Sequence, residues 1–239
     1  MVPASATRRA MILGEIGLET WRLRTAAGSV APPTTTVAAP ATATAAAPAP
    51  GMATDWEQLQ AAVRDCRSCD LHRTRTQTVF GVGHRAPRWV IVGEAPGAEE
   101  DRQGEPIVGA AGKLLDEMLR AVGVGRADVF IANVLKCRPP ENRNPTLAEI
   151  GACAGHLQAQ LDLLAPRLIL AVGRIAAQSL LGQNEPVGRL RGRAHAFGPA
   201  GIPLVVTYHP AYLLRSPVEK RRAWDDLRLA CRLVAPRAP

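Results

Sequence analysis

Four short apolar runs stand out along the chain: Trp89 to Val92, Val129 to Asn133, Leu168 to Val172, and Leu204 to Thr207. Uniformly apolar runs of this length, rich in Val, Ile and Leu, predict strands buried on both faces. Between them the apolar positions change to helical spacing. Leu114, Leu115, Met118, Leu119 and Val122 predict a helix over about 110–122, and similar patterns cover 147–164 and 174–181. A helix opens at Trp56, with Thr54 or Asp55 as N-cap, and runs to Arg64. A last amphipathic helix at 218–234 sets Trp224, Leu227, Cys231 and Val234 on one face. Strands and helices alternating in this way predict an α/β fold, a parallel sheet with helices on both faces.

The first 51 residues lack this patterning. Residues 25–51 are Ala, Pro and Thr with few other residues and no charge or aromatic group, so they are read as a disordered linker with extended, proline-biased conformations. Ahead of it, residues 1–24 contain a short patterned piece, Met11 to Arg24, that reads as a docking-type peptide on a tether. The folded part begins near Thr54, and 52–239 is taken as one domain.

Composition narrows the partners. The 239 residues suffice for one α/β domain of ordinary size plus an appendage. A formal net charge of +8 favours a polyanionic partner, and arginine, the main source of that charge, suits bidentate phosphate contacts. No run of about 18 apolar residues exists to span a membrane. Glu15 interrupts the only apolar run after Arg8 and Arg9, so no secretory signal is expected. Five cysteines, an odd number, without an export signal point to a reducing cytoplasm.

Candidate chemistry gathers where the strands end. The run Val90-Ile91-Val92 breaks at Gly93 into a loop with Gly97, Gly104, Gly109 and Gly112 and five acids between Glu94 and Glu105. A strand, a glycine-rich loop and a helix N-terminus make a binding site for an anion or a polar ring. This loop is too acidic for a phosphate cradle and lacks the Gly-Lys-Ser/Thr ending of a P-loop. Two further strands end in Asn133-Val134-Leu135-Lys136-Cys137 and Tyr208-His209-Pro210. In parallel sheets ligands bind beyond the carboxyl ends of the strands, which makes this convergence the expected site.

Cys66-Arg67-Ser68-Cys69 is a CxxC pair, with Cys137 and Cys153 far downstream. Four thiolates can hold zinc or a four-iron cluster, and spacing alone does not separate the two. Cys231 reads instead as a small buried hydrophobe on its helix face.

Four motifs then agree in order and spacing with one family. Glu94-Ala95-Pro96-Gly97 with Asp101, the Gly109-x-x-Gly112 pair, Asn133-x-x-Lys136-Cys137-Arg138-Pro139-Pro140-x-Asn142-Arg143, and His209-Pro210-Ala211-Tyr212-Leu213-Leu214-Arg215 resemble the family 4 uracil-DNA glycosylases. The resemblance covers about 54–234. It implies a three-layer α/β/α sandwich around a four-stranded parallel sheet, and a [4Fe-4S] cluster on Cys66, Cys69, Cys137 and Cys153. The implied activity is hydrolysis of the N-glycosidic bond of uracil in DNA, which leaves an abasic site and starts base-excision repair. The enzyme is expected to act as a monomer.

The resemblance also assigns roles. His209 would donate to uracil O2 as the base departs. Asn133 would donate to O4 and accept from N3–H, a pattern that cytosine reverses. Glu94 would orient the attacking water and support the cationic sugar, with Asn142 as its hydrogen-bonding partner. Ala95, Gly97 and Glu100 belong to the base-binding motif. Leu213 and Leu214 would enter the DNA and fill the gap left by the flipped base. Lys136, Arg138, Arg143 and Arg215 are candidate phosphate contacts. Ile107 departs from the family pattern, which usually has a Phe there to stack on uracil. Relatives of family 5 lack the acid that Glu94 supplies. A separate resemblance links Ile16 to Arg24 with the amino-terminal peptide of the psi subunit of the bacterial replicative clamp loader, making that loader a candidate partner through residues 11–24.

Overall fold

The structure is a computed structural model that describes residues 55–234; the docking-type peptide and the linker lie outside the described residues. Among the described residues a six-stranded sheet has the order β1-β3-β2-β4-β6-β5. Its four central strands, β3 (Phe130–Asn133), β2 (Trp89–Gly93), β4 (Leu168–Val172) and β6 (Ile202–Thr207), run parallel. They are the four strands predicted from the apolar runs. The short edge strands β1 (Val82–Gly83) and β5 (Ala194–Phe197) pair antiparallel and complete the sheet, so a four-stranded description is correct only for its core.

Every residue of β2, β3 and β4 is buried, as parallel strands covered on both faces require. Side-chain alternation splits their contents into two cores. Val90, Val92, Phe130, Ala132, Ile169 and Ala171 face one layer, formed by α1 (Trp56–Arg64), α4 (Leu147–Leu164) and α5 (Arg174–Leu181). Trp89, Ile91, Ile131, Leu168, Leu170 and Val172 face the opposite layer, formed by α3 (Gly109–Ala121) and α8 (Lys220–Val234). The remaining short helices are α2 (Ala98–Gln103), α6 (Val187–Leu190) and α7 (Pro210–Arg215).

Helix starts follow local chemistry. Asp55, not Thr54, caps α1, its carboxylate accepting from the Gln58 amide at 2.8 Å. Thr146 and Glu149 form a reciprocal capping box on α4. On α8 the buried stripe is Ala223, Asp226, Leu227 and Ala230, whereas Trp224 is 40% exposed and does not lie on the buried face expected for it.

The chain leaves β2 toward β3 on one side, then crosses through α4 to β4 on the other side of β2. The connections therefore diverge above the carboxyl ends of β2 and β4, the topological switch point at which open α/β sheets bind ligands.

Candidate active site

Each central strand delivers one polar group to this crevice. Glu94 follows β2, Asn133 ends β3, Arg174 follows β4 after Gly173, and His209 lies two residues beyond β6. Asn133 is buried, and its amide nitrogen has no hydrogen-bond partner among the described residues. An unpaired buried donor costs about 1–3 kcal/mol, so it marks a place where a polar ligand would complete the bonding. Gly93 lies against it. A Cβ at Gly93 would collide with Asn133 Oδ1 and come within 3.3 Å of Ile107 Cδ1. Ile107 and Asn133 thus both lie against one glycine, where any larger residue would displace the Asn133 amide.

Ile107 is buried and has φ +49°, a left-handed conformation that disfavours β-branched residues. The Arg126 guanidinium holds it by donating to the carbonyls of Pro106 (2.9 Å) and Ile107 (3.2 Å).

Half-buried Glu94 is pushed above the usual carboxylate range by burial, and Arg174 opposes that rise. Its carboxylate makes no hydrogen bond among the described residues. Asn142, expected beside it, is exposed, and its Oδ1 accepts instead from Arg138 Nε at 2.8 Å. Glu141 and Asn142 are both at positive φ in the turn that follows buried Pro139. Arg174 escaped sequence reasoning because nothing local shows that β4 lies beside β2.

Glu100 is a brace. Its two oxygens accept from the Gly97 amide (3.1 Å) and the Val108 amide (3.0 Å), so it closes the motif loop. Asp101, buried, does similar work on Thr76 and Gln77. Ala95 and Gly97 lie on the same loop; Gly97 starts α2, and a Cβ there would press on Glu100 at 2.7 Å.

His209 is the N-cap of α7: its Nδ1 accepts from the Ala211 amide at 3.1 Å. That bond fixes the tautomer, leaving the hydrogen on Nε2, free to donate. Burial and, second, Arg215 lower its pKa to about 4, so the ring is neutral near pH 7. The result is an uncharged donor in a desolvated crevice, suited to meet negative charge that develops on a leaving group.

The four predicted cysteines come together. Cys66, Cys69, Cys137 and Cys153 line one enclosed cavity with His72, Arg75, Lys136 and His156. Burial pushes the Cys153 thiol up to about 11 and raises that of Cys137 as well. Arg75 donates to Cys137 Sγ at 2.9 Å and the Lys136 amide to Cys153 Sγ at 3.3 Å. Donors aimed at sulfur, in a place where bare thiolates are costly, fit sulfurs bonded to a cationic metal group. Among the described residues no three His, Cys, Asp or Glu side chains are arranged around a single ion.

Several expected DNA contacts are redirected. Lys136 is 1% exposed and cannot reach a phosphate; its ammonium is spent inside, on the Asn133 carbonyl and Gln160. Arg143 pairs with Glu149 through two bonds of 2.9 and 2.6 Å and steadies the start of α4. Leu213 is 0% exposed, because α7 turns it inward; Leu214, 43% exposed, and Tyr212 face solvent instead. Arg215 is exposed and Arg138 half-buried, the latter bonded to Asn142.

The uracil DNA glycosylase superfamily matches this chain over residues 80–228. The type-4 uracil-DNA glycosylase of Archaeoglobus fulgidus is 42% identical over 192 residues, which is 77% of this chain and 96% of that protein. That of Pyrobaculum aerophilum is 44% identical over 179 residues, covering 72% of this chain and 91% of the relative. The Thermotoga maritima enzyme is 44% identical over 161 residues, 67% of this chain and 83% of its own.

Proposed function

Since this chain belongs to the uracil DNA glycosylase superfamily, we propose that it hydrolyses the bond between uracil and deoxyribose in DNA, leaving an abasic site for base-excision repair. The C1′–N1 bond is unreachable in a stacked duplex, so the nucleotide must be turned out into the crevice above β2 and β4. As that bond breaks, its electron pair moves into the uracil ring, with charge on O2, while C1′ becomes cationic. The Nε2–H of His209 supports the charge on O2. Ionised Glu94 supports the sugar cation and orients the water that adds to C1′, and the proton released by that water goes to solvent or base.

The observation that carries the reading is the unpaired amide nitrogen of buried Asn133 beside Gly93. Donating to uracil O4 would satisfy it; cytosine, with an amino group there, would leave two donors facing each other. Tyr212 and Leu214, exposed on α7, are apolar groups available to enter the space the base leaves.

The cysteine cavity fits a [4Fe-4S] cluster on Cys66, Cys69, Cys137 and Cys153. Such a cluster would tie the segments before β1, after β3 and along α4 together without entering the reaction. Iron and sulfide in equal amounts would support it; zinc without sulfide would refute it. The clamp-loader reading of residues 11–24 is a separate proposal, tested by whether the full chain retains loader subunits and a chain lacking residues 1–51 does not.

The deciding experiment incubates the protein with uracil-containing and matched thymine-containing single strands and cleaves abasic products with alkali. Strand breaks confined to the uracil positions are expected. No breaks with fully iron-loaded protein would sink the proposal.

A further inference from the structure

Lys136 is the most deeply buried cation in the described structure, and the proposed mechanism gives it no role. Its ammonium lies 2.9 Å from the main-chain oxygen of Asn133 and 2.5 Å from Gln160 Oε1, and it donates to both. Gln160, also fully buried, is fixed in turn by donating from Nε2 to the Phe80 carbonyl at 2.9 Å. The backbone of Lys136 is held on both sides: its amide donates to Cys153 Sγ at 3.3 Å, and its carbonyl accepts from the Val79 amide at 2.8 Å. One residue thus fastens the strand end that carries Asn133 to the wall of the cysteine cavity.

A buried ammonium is expensive, and retaining it at a site where Met would pack calls for something that its donors do. An apolar residue would leave the Asn133 carbonyl without the ammonium, and that peptide would then be held from one side alone, by the Val134 amide donating to the Gly93 carbonyl at 3.0 Å. The carbonyl and side chain of Asn133 hang on one Cα, so a strand end that loses this anchor lets the Cα shift and carries the amide edge with it.

We infer that Lys136 is a positioning residue for base recognition, holding the Asn133 edge in register through a Lys136–Gln160 strut anchored beside the cysteines. The inference rests on the uracil-excision reading. It separates base binding from DNA binding, because phosphate contacts such as Arg138 and Arg215 do not pass through the strut.

The test compares wild type with Lys136→Met, both iron-loaded. Three quantities are measured: inhibition by free uracil, affinity for abasic-site DNA, and iron per chain. In Lys136→Met the inhibition constant for uracil should rise about tenfold, the cost of one misplaced hydrogen bond, with abasic-DNA affinity and iron content unchanged. An unchanged uracil constant overturns the inference. So does a loss of uracil binding that only tracks a loss of iron, since Lys136 would then serve the cysteine site alone. If Lys136→Met does not fold, Gln160→Met replaces it; that variant keeps the lysine and removes one anchor, and should raise the uracil constant about threefold. No change there overturns the inference equally. Wild type that neither excises uracil nor is inhibited by it would be a failure of the activity reading, visible before any variant is compared.

Discussion

His209 joins two jobs in one side chain, and substitution can separate them. Its Nδ1 caps α7 through the Ala211 amide, and its Nε2–H remains as the donor. Truncation to alanine removes both. The lost cap costs about 1 kcal/mol of stability, at the middle of the range for such caps. The lost donor costs about 2.7–4 kcal/mol of transition-state stabilisation, or roughly two to three powers of ten in rate, as for a single oxyanion-hole donor. His209→Asn restores the cap, because asparagine is among the best N-cap residues, but its amide is too short to replace Nε2. Thermal unfolding and single-turnover excision from a uracil-containing single strand should therefore diverge: Asn recovers the stability that Ala loses and recovers little of the rate. A near-normal rate in His209→Ala would refute the assignment of the leaving-group donor. The pH profile gives a second check. With its pKa lowered from 6.5 to about 4, His209 is neutral from mildly acid pH upward. No rate loss should occur as pH rises through 6.5; such a loss would mean that the imidazolium is the donor.

Three further outcomes follow from neighbouring groups. Burial already raises the pKa of Glu94 while Arg174 opposes it, so Arg174→Ala should raise it further and move the acid limb of the rate profile to higher pH; an unmoved limb would show that Glu94 does not act ionised. Glu149, held down from 4.5 to about 2 mainly by Arg143, contributes stability that is present above pH 4.5 and lost as pH falls toward about 2. Acid unfolding should show that window in wild type and not in Glu149→Gln, which should be less stable above it. Ile107→Phe should speed excision most where flipping is hardest, in U·A pairs, by up to about tenfold or 1.4 kcal/mol, and less in U·G and single strands. Equal slowing on all three substrates would mean that the pocket is built around isoleucine.

The parts of the fold that were legible are those written in local apolar text. Val90-Ile91-Val92 and Leu168 to Val172 read as buried strands, and each long helix starts within two residues of its predicted first position. The edge strands were invisible because Val82–Gly83 is two residues long and Ala194–Phe197 alternates exposed and half-buried positions. At the site, Glu94, Asn133 and His209 were legible because each stands at the end of a strand. Side-chain direction was not. Leu213 and Leu214 are equivalent in sequence; the helix that starts at Pro210 turns one inward and the other outward. Lys136 read as a surface cation because its partners lie far off in sequence: Gln160 and Cys153 on α4, and Phe80, which fixes Gln160, before β1.

Ile107 shows how far a backbone can fix a site before the side chain is chosen. A left-handed conformation costs a non-glycine residue roughly 1–2 kcal/mol, more for a β-branched one. The surroundings impose it nonetheless: Arg126 grips two successive carbonyls and is itself steadied by Asp116 at 3.0 Å. Gly112, at the start of α3, leaves space for the Ile107 carbonyl, with which a Cβ there would collide. Glu100 anchors the next amide, that of Val108. None of these contacts involves the isoleucine side chain, so the peptide at 107 keeps its place whichever residue occupies it. An unbranched aromatic would carry less left-handed strain and present a flat face beside Asn133. Isoleucine therefore keeps the backbone position without offering a flat face, and strain at 107 belongs to the loop, not to the residue it carries.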